Sequence, residues 1–222
     1  MSELEAPRIW DAEEVPEPDD RLALGVMISG SGTNLQAVID ACNSGAIDAR
    51  VAVVISNKAD AYGLERARKA GIPAVHIDPA SFGDIRKYNH ALREALDTHG
   101  TQLVVMAGYM RLLGREVLHA FPGAVINLHP ALLPAFPGSS AIGDAFAYGV
   151  KITGVTVHFA DEEFDRGPII VQEPVRVDES DTIETLEAKI HAAEHRLLPE
   201  AIGLIAAGRV RLDGRRVRIS QG

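Results

Sequence analysis

Asn127 and His129 stand two residues apart at the end of an apolar run, Ala124–Leu128, so on an extended strand both side chains project to the same side. An amide that donates and an imidazole that carries a proton are what acyl transfer requires where a carbonyl oxygen becomes an oxyanion. Asp165 follows a later strand in Glu162-Glu163-Phe164-Asp165-Arg166-Gly167-Pro168, a turn from which a carboxylate can reach His129. Such a neighbour would raise the histidine pKa by favouring its charged form, letting the site donate near neutral pH. Singly, each residue has an ordinary role, His129 as a structural hydrogen-bonder and Asp165 as a turn residue.

Ser29-Gly30-Ser31-Gly32-Thr33-Asn34 lies between the first apolar run and the first helical stretch, where free backbone N–H groups and the helix dipole favour an anion. Glycine lets the backbone approach a phosphate, and a β-branched side chain at Gly32 would block it. The stretch is not a dinucleotide fingerprint, because Leu35 stands where the third glycine belongs, and it lacks the Gly-Lys-Ser/Thr of a P-loop. A monophosphate suits it best. The plain reading is a strand–helix turn capped by Thr33 or Asn34.

The elements that must position these groups alternate along the chain. Apolar runs at Leu22–Ser29, Val51–Ser56, Pro73–Ile77, Leu103–Met106 and Ala124–Leu128 read as strands; Asn34–Asn43, Leu64–Ala70, Arg86–Thr98 and Arg115–Phe121 read as helices. Nearly continuous apolar strands separated by helices predict an α/β fold: a Rossmann-like, open, mostly parallel sheet with helices on both faces. Ligands collect at the carboxyl ends of such strands. A loop rich in proline and glycine runs through Gly138, then two β-branched runs, Ile152–Phe159 and Pro168–Val177, and a long helix from about Thr182 to Ala207. Asp181 is the expected cap of that helix, Thr182 and Thr185 not being read as a capping box. Asp213-Gly214 between alternating residues signals a closing hairpin over Arg209–Ile219.

Residues 1–20 carry eight acids against Arg8 alone, and with Pro7, Pro16 and Pro18 they read as a loosely ordered acidic extension to a domain over 21–222. That extension holds −7 of the net charge of −9, leaving the body near −2, with no basic stripe for a polynucleotide. Cys42 alone excludes an internal disulfide and a multi-cysteine metal site. No apolar run reaches the roughly 18 residues of a membrane span. A cytoplasmic protein, monomer or homodimer, acting on small molecules is the expectation.

From about Leu22 to Ala207 the chain resembles the glycinamide ribonucleotide transformylases, the folate-dependent phosphoribosylglycinamide formyltransferases. The residues that carry the resemblance are Ser29–Asn34, Ser56-Asn-Lys-Ala-Asp60, Ala107-Gly-Tyr-Met-Arg-Leu112, Asn127-Leu-His-Pro-Ala-Leu-Leu-Pro134 and Phe164–Pro168. The resemblance implies that a formyl group passes from 10-formyltetrahydrofolate to the amine of glycinamide ribonucleotide in purine biosynthesis, without a metal. It implies that Gly32, Thr33 and Asn34 hold the ribose phosphate, helped by His191 and Glu194, and that Met110, Arg111, Leu112 and Leu113 flank the pterin. Asn127 would hold the formyl oxygen, His129 would act as the protonated catalyst, and Asp165 would keep it charged.

Two positions depart from the family pattern. Ser140 stands where a histidine is usual, and Ile85 where an arginine approaches the folate, with Arg86 beside it. Formyltetrahydrofolate deformylase shares the catalytic trio but normally has a regulatory domain before it, for which residues 1–20 are too short. Methionyl-tRNA formyltransferase would need a further domain and a basic RNA surface. A non-catalytic folate- or nucleotide-binding protein is disfavoured by retention of Asn127, His129 and Asp165.

Overall fold

The computed structural model describes residues 19–221, so the acidic extension, apart from Asp19 and Asp20, lies outside the described residues. Seven strands form one sheet: β1 (Leu22–Ile28), β2 (Ala49–Ser56), β3 (Ala74–His76), β4 (Leu103–Met106), β5 (Val125–His129), β6 (Ile152–Phe159) and β7 (Ile169–Arg176). Their order is β3-β2-β1-β4-β5-β6-β7. β1 to β5 are parallel, while β6 and β7 run antiparallel to their neighbours.

The strands are apolar on both faces because both are covered. Leu24, Val26 and Ile28 of β1 pack with Leu35, Val38 and Ile39 of α1 (Thr33–Asn43) and with Leu186, Ile190 and Leu197 of α6 (Ile183–Ala206). On the opposite face Met27, Val104, Met106 and Val125 meet Tyr88, Leu92 and Leu96 of α3 (Ile85–Thr98) and Val117 of α4 (Arg115–Leu118). The recurring three- and four-residue spacing of these helical residues makes the inward stripe. α2 (Tyr62–Lys69) completes the first βα units, and β8 (Val210–Asp213) pairs with β9 (Arg216–Ile219) as the expected hairpin around Gly214, φ 58°.

Several local expectations change. The proline- and glycine-rich loop gives way to a helix absent from the sequence reading, α5 (Ala141–Tyr148); its run Ala-Ile-Gly-Asp-Ala-Phe-Ala-Tyr is too short and glycine-broken to show a clear period. The helix expected to Phe121 ends at Leu118. α6 does have a capping box: Thr185 N donates to Thr182 Oγ1 at 3.4 Å and Thr182 N to Thr185 Oγ1 at 2.9 Å. A threonine hydroxyl here does what the usual Glu or Gln does. Asp181 instead accepts from Thr185 Oγ1 and from Lys189 Nζ. α1 is capped by neither Thr33 nor Asn34; Gly32, φ 70° and ψ 33°, occupies the cap position without a side-chain bond.

Candidate active site

The chain leaves β1 in one direction across the sheet and, by way of β4, returns in the other, so the loops after β1 and β4 open a crevice between them at the strands' carboxyl ends. That reversal of strand order is where open α/β sheets bind ligands. Ser29 stitches the two loops together: its N–H donates to Gly108 O at 3.1 Å and its hydroxyl accepts from Met110 N at 2.9 Å. The same hydroxyl donates to Asn57 Oδ1 at 2.6 Å, giving the Ser56-Asn57-Lys58 segment a structural role.

On one side, Ser29–Asn34, Ala107, Gly108, Met110 and His191 enclose about 290 Å³. Gly32 is required there by packing. A Cβ on it would sit 2.6 Å from Gly63 Cα, and its φ is left-handed. Asn34 Nδ2 donates to Glu194 Oε2 at 2.9 Å, and His191 Nδ1 donates to the same oxygen at 2.8 Å. The hydrogen bond to Glu194 raises the His191 pKa above the ordinary histidine value, favouring its charged form at the mouth of the loop.

In the middle, Gly108, Tyr109, Met110, Asn127, His129, Pro130, Gly138, Ser139, Phe164 and Asp165 line a cavity of about 360 Å³. It shares Gly108 and Met110 with the loop cavity. His129 Nδ1 lies 3.5 Å from Asp165 Oδ2, with both side chains about 95% buried or more, and His129 Nε2 donates to Phe136 O at 2.8 Å. Gly138 N donates to Asp165 Oδ2 at 2.7 Å. The juxtaposition expected of Asp165 and His129 is therefore present, but its expected net effect is not. Burial pushes the His129 pKa below its ordinary value, and the opposing pull of Asp165 and of the Phe136 carbonyl only partly offsets it. Asp165 itself is raised by burial, but its contacts with His158, Gly138 and His129 outweigh that and hold its carboxyl below the usual range.

On the far side a slot is lined by Met106, Leu112, Leu113, Leu118, Asn127, His158, Ala160, Phe164 and Asp165. It holds about 30 Å³. Ile85, Asn89, Met110, Arg111, Leu112, Leu113, Gly114 and Phe164 form an adjoining cavity of about 340 Å³. Met110 and Leu112 are exposed there, Leu113 is buried, and the Arg111 guanidinium lies 5.5 Å over the Tyr88 ring. Ile85 puts an apolar edge on this cavity, whereas Arg86 faces a different groove with Phe82, Lys87 and His90. Ser140 begins α5 with an exposed side chain.

Two polar residues of the site escaped the sequence reading. Thr156 and His158 alternate within the apolar β6, and polar residues on a fully buried strand were the available signal. Thr156 Oγ1 donates to Ala131 O at 2.6 Å and accepts from Leu133 N at 3.1 Å and Gln172 Nε2 at 2.9 Å, which pins the loop after His129. His158 pairs across the ladder with Asn127. Among the described residues no group of three or more His, Cys, Asp or Glu is gathered as for a metal, and no helix is long and apolar enough to cross a membrane.

A switch-point crevice with a glycine-rich loop at one end and a carboxylate-backed imidazole at its centre defines a class, the α/β enzymes of acyl transfer. Within that class the chain belongs to the formyl transferase family, whose pattern matches residues 23–202. It is 43% identical over 177 residues to phosphoribosylglycinamide formyltransferase of Bacillus subtilis, covering 80% of this chain and 91% of that protein. A trifunctional purine biosynthetic protein, adenosine-3, of Bos taurus is 43% identical over 85% of this chain, which spans only 19% of that longer protein. Glycinamide ribonucleotide transformylase 1 of Symbiobacterium toebii is 54% identical in its crystal structure, with a TM-score of 0.89 over 90% of this chain and 95% of that one.

Proposed function

We infer that this protein transfers the formyl group of 10-formyltetrahydrofolate to the amine of glycinamide ribonucleotide, in cytoplasmic purine biosynthesis. The observation that carries this reading is a row of three cavities that share lining residues, with Asn127, His129 and Asp165 all lining the middle one. The ribose phosphate rests on Gly32, Thr33 and Asn34, with His191 and Glu194 alongside. The folate lies against Met110, Arg111, Leu112, Leu113 and Asn127. Its formyl group then meets the substrate amine beside His129.

The amine lone pair forms the new C–N bond while the carbonyl electrons move onto oxygen. Collapse re-forms the carbonyl and breaks the bond to the folate nitrogen, which takes up a proton as the amine loses one. No step in this reading uses a metal ion. His129 stands where the oxyanion develops and can relay to the folate nitrogen the proton that the amine sheds; burial strengthens the attraction between a charged ring and the oxyanion, and Asp165 limits the cost of that charge.

The test follows folate release from 10-formyltetrahydrofolate with and without glycinamide ribonucleotide. Release that depends on the ribonucleotide supports transfer. Release without it would make the protein a hydrolase, and saturable binding without release would make it a binding module.

A further inference from the structure

We propose that Arg66 is a positioning residue for the phosphorylated substrate: it holds the Ser31 carbonyl against α2 and so turns the Gly32 N–H toward the anion. The proposal rests on the reading above that the loop Ser29–Asn34 receives the phosphate, and it does not depend on the transfer step.

The loop is tied to α2 at two successive peptides. Gly63 N donates to Gly30 O at 3.1 Å, and Arg66 Nε donates to Ser31 O at 2.9 Å. Gly63 permits this approach, since a Cβ there would stand 3.3 Å from Gly32 Cα. Both peptides are trans, and in a planar trans peptide the N–H points opposite to the C=O. With Gly30 O and Ser31 O drawn to α2, the N–H groups of Ser31 and Gly32 face the other way. The cavity opens on that side: Ser29–Asn34 line it, and among the described residues none of α2 does. Successive N–H groups turned one way form a concavity for an anion.

Arg66 is itself held. Nη1 donates to Gln36 Oε1 at 3.2 Å, and the guanidinium lies 5.0 Å from the centre of the Tyr62 ring. A planar fork that grips two acceptors and rests on an aromatic face has little freedom left. Its bond to Ser31 O is charge-assisted, and it brings positive charge to the back of the loop, where His191 brings it to the front. The same cavity has a further call for a ligand. Asn34, only 8% exposed, gives an amide hydrogen to Glu194 and keeps Oδ1 unpartnered among the described residues, an acceptor for a hydroxyl of the sugar that carries the phosphate.

Three measurements test this. In the unmodified protein, titration with inorganic phosphate should move the Ser31 and Gly32 amide proton NMR shifts downfield together; fixed shifts at both amides overturn the proposal. Arg66→Met keeps the apolar stem and removes the fork, while Gly63 still holds Gly30 O. It should raise KM for glycinamide ribonucleotide roughly 10- to 100-fold, with KM for 10-formyltetrahydrofolate and kcat at saturation changed less than about threefold, and weaken inorganic phosphate likewise. Arg66→Lys carries its charge to one acceptor at a time, so its rise should be roughly two- to tenfold and confined to the ribonucleotide. An unchanged KM for the ribonucleotide in Arg66→Met, equal rises for both substrates, or equal losses in the two variants would each overturn it. Should Arg66→Met fail to fold by thermal melting, the lysine variant and the amide shifts still decide. A wild type that binds phosphate at these amides without ribonucleotide-dependent transfer refutes the inferred reaction and not the role of Arg66, which the phosphate affinities of the variants read independently.

Discussion

The His129 imidazole and the Asp165 carboxylate lie 3.5 Å apart in a site almost closed to water, yet the pair leaves the imidazole below its ordinary pKa, because burial penalises the cation more than this one anion rewards it. Asp165→Asn removes the reward and keeps the shape. The His129 pKa should then fall further, and kcat should drop, because the ring loses the one anion that offsets the cost of its positive charge. NMR titration of His129 in both proteins checks the sign; an unchanged or higher value in the variant would break the link between the two residues.

The same pair makes stability depend on pH in two separate windows. His129 is depressed in the folded protein, so between its folded value and the unfolded value near 6.5 the unfolded chain binds more protons; its contribution is full above that and fades as pH falls. Asp165, also depressed, contributes fully above the unfolded carboxylate value of about 3.9 and loses its share as pH falls through its folded value. Denaturant midpoints of the wild type should fall from pH 7 to pH 5, and His129→Gln should flatten that part of the curve.

His129→Ala should lower kcat by about 10²- to 10⁴-fold, the usual worth of a positioned proton donor or acceptor. Because His129 Nε2 also satisfies the Phe136 carbonyl, some loss of thermal stability accompanies it. Comparing kcat per folded molecule separates the two effects, and a normal value would remove His129 from the chemistry.

His191 holds its charge through Glu194, so binding of the phosphorylated substrate should weaken as pH rises through the raised His191 pKa. His191→Lys should extend tight binding to higher pH, and His191→Ala should raise KM for glycinamide ribonucleotide while leaving KM for folate nearly unchanged. Equal rises for both substrates would show that the helix, rather than the charge, had been disturbed.

Gly32→Ala should cost about 1–2 kcal/mol from its left-handed backbone alone, and more from the collision with Gly63. It should lower Tm and weaken both substrates, since the loop and α2 must part. Thr156→Val, in contrast, should keep the strand but leave Ala131 O and Leu133 N unpaired, a loss of about 1–3 kcal/mol for each buried group. Thermal melts of both variants measure these costs, and a wild-type Tm in either would refute the packing described.

The alternation of apolar strands with helices, the glycine loop, and the two-residue spacing of Asn127 and His129 were legible in the sequence because each is a local pattern with a period or a turn to mark it. The closing hairpin announced itself at Asp213-Gly214 in the same way. Other features have no local mark. Whether β6 and β7 run parallel or antiparallel, whether α5 forms in the proline-rich stretch, and that Thr156 and Gln172 meet the same loop depend on contacts between distant segments. The Thr182–Thr185 box was misread because hydroxyl pairs can cap only when the backbone brings them into register.

The sequence by itself determined which groups could do the chemistry: an amide, an imidazole and a carboxylate, with a phosphate-sized loop upstream. Only the tertiary structure decided their electrical state and their free valences. Asp165 is near enough to charge His129, but the depth at which β5 places the ring sets the net direction, because desolvation depends on everything around a group and a neighbouring charge on one distance. His158 belongs to the site for the same reason: 31 residues from Asn127 in the chain, it becomes that residue's hydrogen-bond partner only when β6 turns back against β5.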